Sequence, residues 1–302
     1  MSSPTPLPRW LGVSLLLLIA VSFASNHVAA RLAFDHGANV ATAVAVRSMG
    51  AALFVLALLA QAGVALRMSA PTLRRAVGIG LLVAIQSLCL YSAVARIPVA
   101  LALLAFNTFP LMLGLISWAA GGERPSRRAF VAMPIALFGL AVALDVAGLA
   151  RPPAGAATAP ASMGVGVAFA LGGAASFASA LYLTTRWLGS TDGRLRTLVL
   201  MLVVTTVAIG AGALGGRFDW PADGIGWAAL AALTVLYSSA ITALFVLLPR
   251  LGAVNNAAVM NFEPIAALFL GWVVLDQHVA TIQIAGALVV IGAIVMLTTG
   301  RR

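Results

Sequence analysis

The chain has 302 residues, of which 62% are hydrophobic and 9% charged, and its formal net charge is +10. A soluble domain runs nearer about 45–50% apolar and about 25% charged, so these proportions exclude a single water-solvated core. All 18 basic residues are arginines scattered at the ends of apolar runs, a pattern that argues against a nucleic-acid-binding face, and the lone Cys89 excludes an internal disulfide or a Cys-rich metal site.

Ten stretches with few or no charges follow in chain order, at residues 10–30, 39–63, 76–95, 98–119, 129–147, 163–185, 195–214, 224–248, 254–275 and 280–299. Each is near the roughly 20 residues a helix needs to cross a bilayer. Each carries Leu, Ala, Val and Gly on every helical face, as expected where lipid is the solvent. Barrel strands would instead alternate over about ten residues. The predicted fold is an all-α polytopic membrane protein with ten transmembrane helices. Short breaks at Arg96–Pro98 and Pro249–Gly252 separate the third helix from the fourth and the eighth from the ninth.

The first stretch imitates a secretory signal, with Arg9, a leucine run, and small residues at Ala29 and Ala30. It is long enough to span, and its Ser22-Phe23-Ala24-Ser25 recurs at Ser176-Phe177-Ala178-Ser179, so it reads as a retained first helix. With the N-terminus placed inside, Arg9, Arg67, Arg74, Arg75, Arg124, Arg127, Arg128, Arg186, Arg194, Arg196, Arg250, Arg301 and Arg302 fall on the cytoplasmic side. Only Arg31, Arg96, Arg151 and Arg217 fall outside, while Arg47 lies within a span. The positive-inside rule then places both termini in the cytoplasm.

The repeated serines belong to a longer register. At the same offset of 154, Arg96 matches Arg250, Asn107 matches Asn261 and Pro110 matches Pro264; one residue of slippage pairs Glu123 with Asp276 and Gly139 with Gly292. The halves are 1–147 and 163–302, joined by a Pro/Ala/Gly/Thr-rich linker at 148–162. Five spans per half is an odd number, so the second half enters the membrane from the opposite side. An inverted repeat of this kind predicts alternating access around a site near the midplane.

Three segments carry a resemblance to a known family. Arg96-Ile97-Pro98 through Asn107-Thr108-Phe109-Pro110 to Gly122-Glu123 resembles the first-half signature of EamA-type proteins of the drug/metabolite transporter superfamily. Pro249-Arg250-Leu251-Gly252-Ala253 through Glu263-Pro264 to Asp276 resembles the second-half signature, and Ser25-Asn26 is similar to the start of the family pattern. Asp276 stands where the family usually has Glu, and Phe23-Ala24 replaces the usual Trp-Gly. The resemblance implies ten helices and, in most members, export of amino acids or other small metabolites across the bacterial inner membrane. It also implies a central cavity lined mainly by helices 1, 3, 4, 6, 8 and 9.

Candidate site residues follow along the chain. Asn26 and His27 lie toward the outer end of helix 1, His27 with a structural reading. Arg47 is about eight residues into helix 2; it could hold a substrate carboxylate, but its long stem can snorkel to the headgroups. Because the family places helix 2 mostly outside the cavity, snorkelling is the expectation. Gln86 sits in the middle of helix 3, where an amide is costly against lipid, and Tyr91 and Tyr182 could stack on a flat substrate. Asn107 and Asn261 lie within one turn of Pro110 and Pro264, which remove a backbone donor and free the carbonyls of Phe106 and Met260. Gly172 and Gly173 read as helix-packing residues. Tyr237, Ser238 and Ser239 are the polar candidates of helix 8.

Glu263 is the sharpest. About ten residues into helix 9, it sits roughly 15 Å deep, where a carboxylate must face water, find a partner or take a proton. It could bind a substrate ammonium or carry a coupling proton. The three histidines, His27, His36 and His278, lack metal-ligand spacing, and no phosphate-binding glycine loop or HExxH motif is found. The reading is a secondary exporter of a small metabolite, an amino acid or a related compound, with no enzyme activity, cofactor or metal and no nucleic-acid partner. Export of lipophilic cationic drugs or dyes is the alternative, and an intramembrane enzyme or sensor a third.

Overall fold

The structure, a computed structural model, describes residues 9–121, 127–143, 160–189, 191–216, 218–251, 262–277 and 280–299. Those residues are helical or form short connections. In chain order the helices are α1 (Arg9–Asp35), α2 (Val40–Gln61), α3 (Ala70–Val94), α4 (Val99–Phe106), α5 (Phe109–Ala119), α6 (Arg127–Ala143), α7 (Pro160–Trp187), α8 (Gly193–Leu214), α9 (Gly224–Leu251), α10 (Glu263–Leu275) and α11 (Thr281–Thr299).

Among the described residues, seven helical segments are long and apolar enough to cross a membrane, with shorter apolar helices at Pro134–Ala143, Glu263–Leu275 and Ile284–Ala293. A helix satisfies its own backbone, which hydrocarbon demands, and the outward faces are apolar: Leu53, Phe138, Val235, Phe269 and Trp272 are all exposed. The starts are fixed locally. The Asn39 side chain caps α2 by accepting from the Thr42 amide at 2.9 Å, Ser69 caps α3 ahead of Pro71, and Asp192 caps α8.

One expected break holds and two boundaries shift. The break between α3 and α4 falls at the Arg96–Pro98 segment, but α9 runs on through Pro249 to Leu251. The expected single span 98–119 is interrupted: α4 ends at Phe106 and α5 starts at Phe109, with Asn107 and Thr108 between. Pro110 therefore occupies the first turn of α5, where a missing N–H removes no intrahelical bond. The Phe106 carbonyl belongs to the end of α4, where carbonyls lack helical partners anyway.

Packing is organised in pairs. α6 lies along α11, α3 along α7, α1 along α9 and α2 along α8; α3 also packs on α8 and α2 on α9, while α10 meets α1 and α4, and α7 meets α4 and α5. Val99–Ala105 are all buried, so the short α4 is covered on every face. One apolar core surrounds it with residues of α1, α3, α7, α10 and α11. A second joins α1, α2, α3, α8 and α9.

At one end of the bundle the α1–α2 and α8–α9 connections are latched. Ala222 N–H donates to the His36 carbonyl at 2.8 Å and Asn39 N–H to the Asp219 carbonyl at 3.2 Å. His36 Nδ1 is 2.7 Å from Asp223 Oδ2. Gly37, at φ +100°, makes the turn that permits this approach. The Asp223 carboxyl is held below the usual carboxylate range by the Gly226 N–H and then by His36.

Candidate functional site

A chain of buried and half-buried polar side chains links five helices. It starts at Arg47 on α2, which is 4% exposed. Its guanidinium carbon lies 3.9 Å from the ring centre of Tyr237 on α9 and 4.7 Å from that of Tyr91 on α3. Nη2 donates to Ser87 Oγ at 3.0 Å, and Ser87 donates in turn to Gln86 Oε1 at 3.3 Å. The snorkelling expected of Arg47 is thus not what the structure holds. α2 carries its small residues on the buried face, at Ala43, Ser48, Ala51 and Ala52, and Arg47 is in register with them. Met49, Leu53 and Phe54 take the exposed face.

From Tyr91 the chain continues to α1. The Tyr91 hydroxyl donates to Asn26 Oδ1 at 3.1 Å, and its ring lies 5.8 Å from that of His27. His27 Nδ1 is 2.8 Å from the Phe23 carbonyl, which can only accept, so Nδ1 carries the hydrogen. The same nitrogen is 3.4 Å from Glu263 Oε1. That is long for a hydrogen bond. His27, read as structural, thereby stands between the polar chain and Glu263.

Glu263 is the first residue of α10, followed by Pro264 in the same turn. The sequence predicts a position about ten residues along a continuous helix, whereas in the structure α10 begins at Glu263. The helix N-terminus presents the positive end of the backbone dipole, a favourable place for a carboxylate. Thirteen residues at about 1.5 Å each put Glu263 roughly 20 Å from the far end of α10.

The other candidates separate. Asn107 is buried, and its Nδ2 donates to the Leu103 carbonyl of its own α4 at 2.8 Å. Ser238 is buried on α9 near Gly50 of α2, and Ser239 bonds back to the Leu236 carbonyl. Tyr182 is half-buried on α7 and, among the described residues, makes no ring contact or side-chain hydrogen bond with the chain of residues above. Asn261 lies outside the described residues. Of the two glycines on α7, Gly173 packs against α3, where an added Cβ would come within 3.3 Å of the Gln86 carbonyl, whereas Gly172 faces open space. Around the α4–α5 break, Phe106, Phe109 and Phe177 form an aromatic trio with ring centres 5.0–5.7 Å apart.

Two apolar clefts are lined by none of these polar side chains. One of about 100 Å³ is lined by Leu101, Leu104, Pro264, Ile265 and Leu288, and a shallow one of about 320 Å³ by Val46, Trp227 and Thr234. Their walls suit acyl chains or apolar side chains rather than a polar solute.

A model of the EamA-like transporter family matches residues 10–144 and again 164–299. A solved structure described only as "Crystal structure of protein" superposes with a TM-score of 0.64 at 18% identity, covering 97% of this chain and 98% of that one. That likeness establishes a shared fold. A search of curated proteins gives no significant match.

Proposed function

Because the chain belongs to the EamA-like transporter family, we propose that it exports a small polar metabolite, an amino acid or a related compound, across the bacterial inner membrane by alternating access. The family is one of multi-pass membrane transporters within the drug/metabolite superfamily. The finer reading rests chiefly on the buried polar chain from Arg47 through Tyr91, Asn26 and His27 to Glu263, set in an otherwise apolar bundle.

The proposed architecture is ten spans in two inverted five-helix repeats, 1–147 and 163–302, with 148–162 as linker. α4 and α5 together count as one span, and α10 completes the ninth. The packing supports this reading. Exchanging each helix for its partner 154 residues away turns the α3–α7 contact into α9–α1, the α2–α9 contact into α8–α3, and the α1–α10 contact into α7–α5. The α2–α8 and α6–α11 pairs map onto themselves. Such a pattern is what a two-fold axis in the membrane plane produces, and it lets one half rock against the other. The arginine distribution supports cytoplasmic termini.

The polar residues do not follow that symmetry. At the offset of 154, Asn26 corresponds to Ala180, His27 to Leu181, Arg47 to Met201 and Phe109 to Glu263. These polar positions therefore belong to one half alone and are not set by the repeat. In the mechanism, Glu263 takes a substrate ammonium or the coupling proton while the halves alternately open the site. The drug-export alternative is disfavoured by Arg47, a buried cation that would repel a lipophilic cation. Counterflow of radiolabelled amino acids in proteoliposomes, run beside cationic dyes, tests the proposal. Accumulation of amino acids supports it, and accumulation of dyes alone sinks it.

A further inference from the structure

We infer that Arg47 and Asn26 form a carboxylate-binding site, so that the compound carried must present a carboxylate group. The physiological meaning of the site rests on the transporter reading above; its chemistry does not.

Arg47 Nε and Asn26 Nδ2 are both buried without a hydrogen-bond partner. They belong to the two residues that flank Tyr91: Asn26 accepts the tyrosine hydroxyl's hydrogen, and Arg47 lies over its ring. Both unsatisfied atoms are donors, so the partner they lack is an acceptor. Arg47 is always charged, and among the described residues no carboxylate lies within 4 Å of it. Two aromatic faces solvate the cation in part but neutralise none of its charge. The fitting acceptor is therefore anionic. A carboxylate offers two acceptor oxygens and a negative charge, the chemistry that suits two orphan donors, one of them on a guanidinium.

The corresponding place in α8 is filled by Met201, so the repeat itself does not require a cation there. Glu263 completes the arrangement from the far end of the chain of residues, beyond His27.

Thermal unfolding of the purified full-length protein in detergent, titrated with sodium propionate, propionamide or propylammonium chloride at matched ionic strength, tests the site without a known substrate. Propionate should raise the unfolding midpoint saturably, propionamide should not, and Arg47→Met should abolish the propionate effect. Arg47→Lys, which keeps charge but loses the planar fork, should need about tenfold more propionate, equivalent to about 1.4 kcal/mol. Equal effects of propionate and propionamide on the wild-type protein overturn the site, and this comparison holds even if Arg47→Met fails to fold. Propionate protection in a protein that shows no amino-acid flux would leave the site standing and remove the transporter reading. Flux of an amine at the rate of its amino acid would remove the site and leave the transporter.

Discussion

Arg47 sits over the ring of Tyr237 with 3.9 Å between guanidinium carbon and ring centre, so a cation on α2 is held by an aromatic face on α9. The Tyr237 hydroxyl makes only a 3.8 Å contact to Met201 Sδ, and sulfur is a weak acceptor. The ring, not the hydroxyl, is what matters. Tyr237→Leu should destabilise the protein by about 2 kcal/mol, the size of a desolvated cation–π contact. Tyr237→Phe should cost well under about 1 kcal/mol. Chemical unfolding in mixed micelles measures both, and equal losses would contradict the cation–π assignment.

The α6–α11 contact depends on two glycines. A Cβ on Gly286 would collide with the Ala143 amide nitrogen and come within 2.6 Å of the Gly139 carbonyl; one on Gly139 would meet the Val290 amide nitrogen at 2.9 Å. These neighbours are backbone and cannot rotate away. Gly286→Ala should therefore destabilise by about 1–3 kcal/mol, as overpacking does. Gly78→Ala on α3, where nothing lies within 4 Å, should be neutral or slightly stabilising through helix propensity, within about 1 kcal/mol. Unfolding in mixed micelles distinguishes the pair, and a silent Gly286→Ala would show that α6 and α11 are not so closely packed.

Much of this fold was legible because lipid imposes one rule on every helix face, so apolar length alone located the helices. The interruption of the fourth span was signalled by Pro110, but its place was not. A proline is compatible with a kinked continuous helix or with the first turn of a new one, and the structure has the second. Gly139 was paired with Gly292 by sequence, whereas it packs against Gly286; alignment finds equivalent positions, not touching ones. The snorkelling expected of Arg47 follows from the family's placing of helix 2 outside the cavity, and the structure buries the side chain instead. The signal that would have corrected it is the stripe of small residues at Ala43, Ser48, Ala51 and Ala52, which marks a helix-facing side. That His27 meets Glu263 depends on tertiary packing of α1 against α10, which no local pattern encodes.

The latch between His36 and Asp223 should depend on pH in a direction set by Asp223. Its carboxyl is held low by the Gly226 N–H and then by His36, so its contribution is present above the ordinary carboxylate range and is lost as pH falls through the lowered value. Hydrogen exchange of the Ala222 amide, which donates to the His36 carbonyl, should therefore deviate from intrinsic pH scaling toward faster opening at the acid end. Asp223→Asn should already show the faster opening at neutral pH and lose the acid-dependent component. An unchanged Ala222 protection factor in the variant would remove Asp223 from the latch.

Glu263 is the residue whose charge the proposed mechanism uses, and Gln is the substitution that isolates it. Glutamine keeps the side chain's length and an acceptor oxygen 3.4 Å from His27 Nδ1, so α10 should stay docked on α1 and the unfolding midpoint should hardly move. What it removes is the negative charge and the ability to exchange a proton. A hydrogen bond to a charged group contributes about 1.5–3 kcal/mol, which converts to roughly ten- to hundredfold in flux if a substrate ammonium is held there. Glu263→Gln should therefore slow amino-acid counterflow in proteoliposomes by that factor and flatten its dependence on pH. His27→Ala, which removes a neighbour rather than the carboxylate, should reduce flux less and leave the pH dependence in place, as befits a positioning residue. Normal counterflow with an unchanged pH profile in Glu263→Gln would show that the carboxylate serves α10 packing and that substrate and proton pass elsewhere.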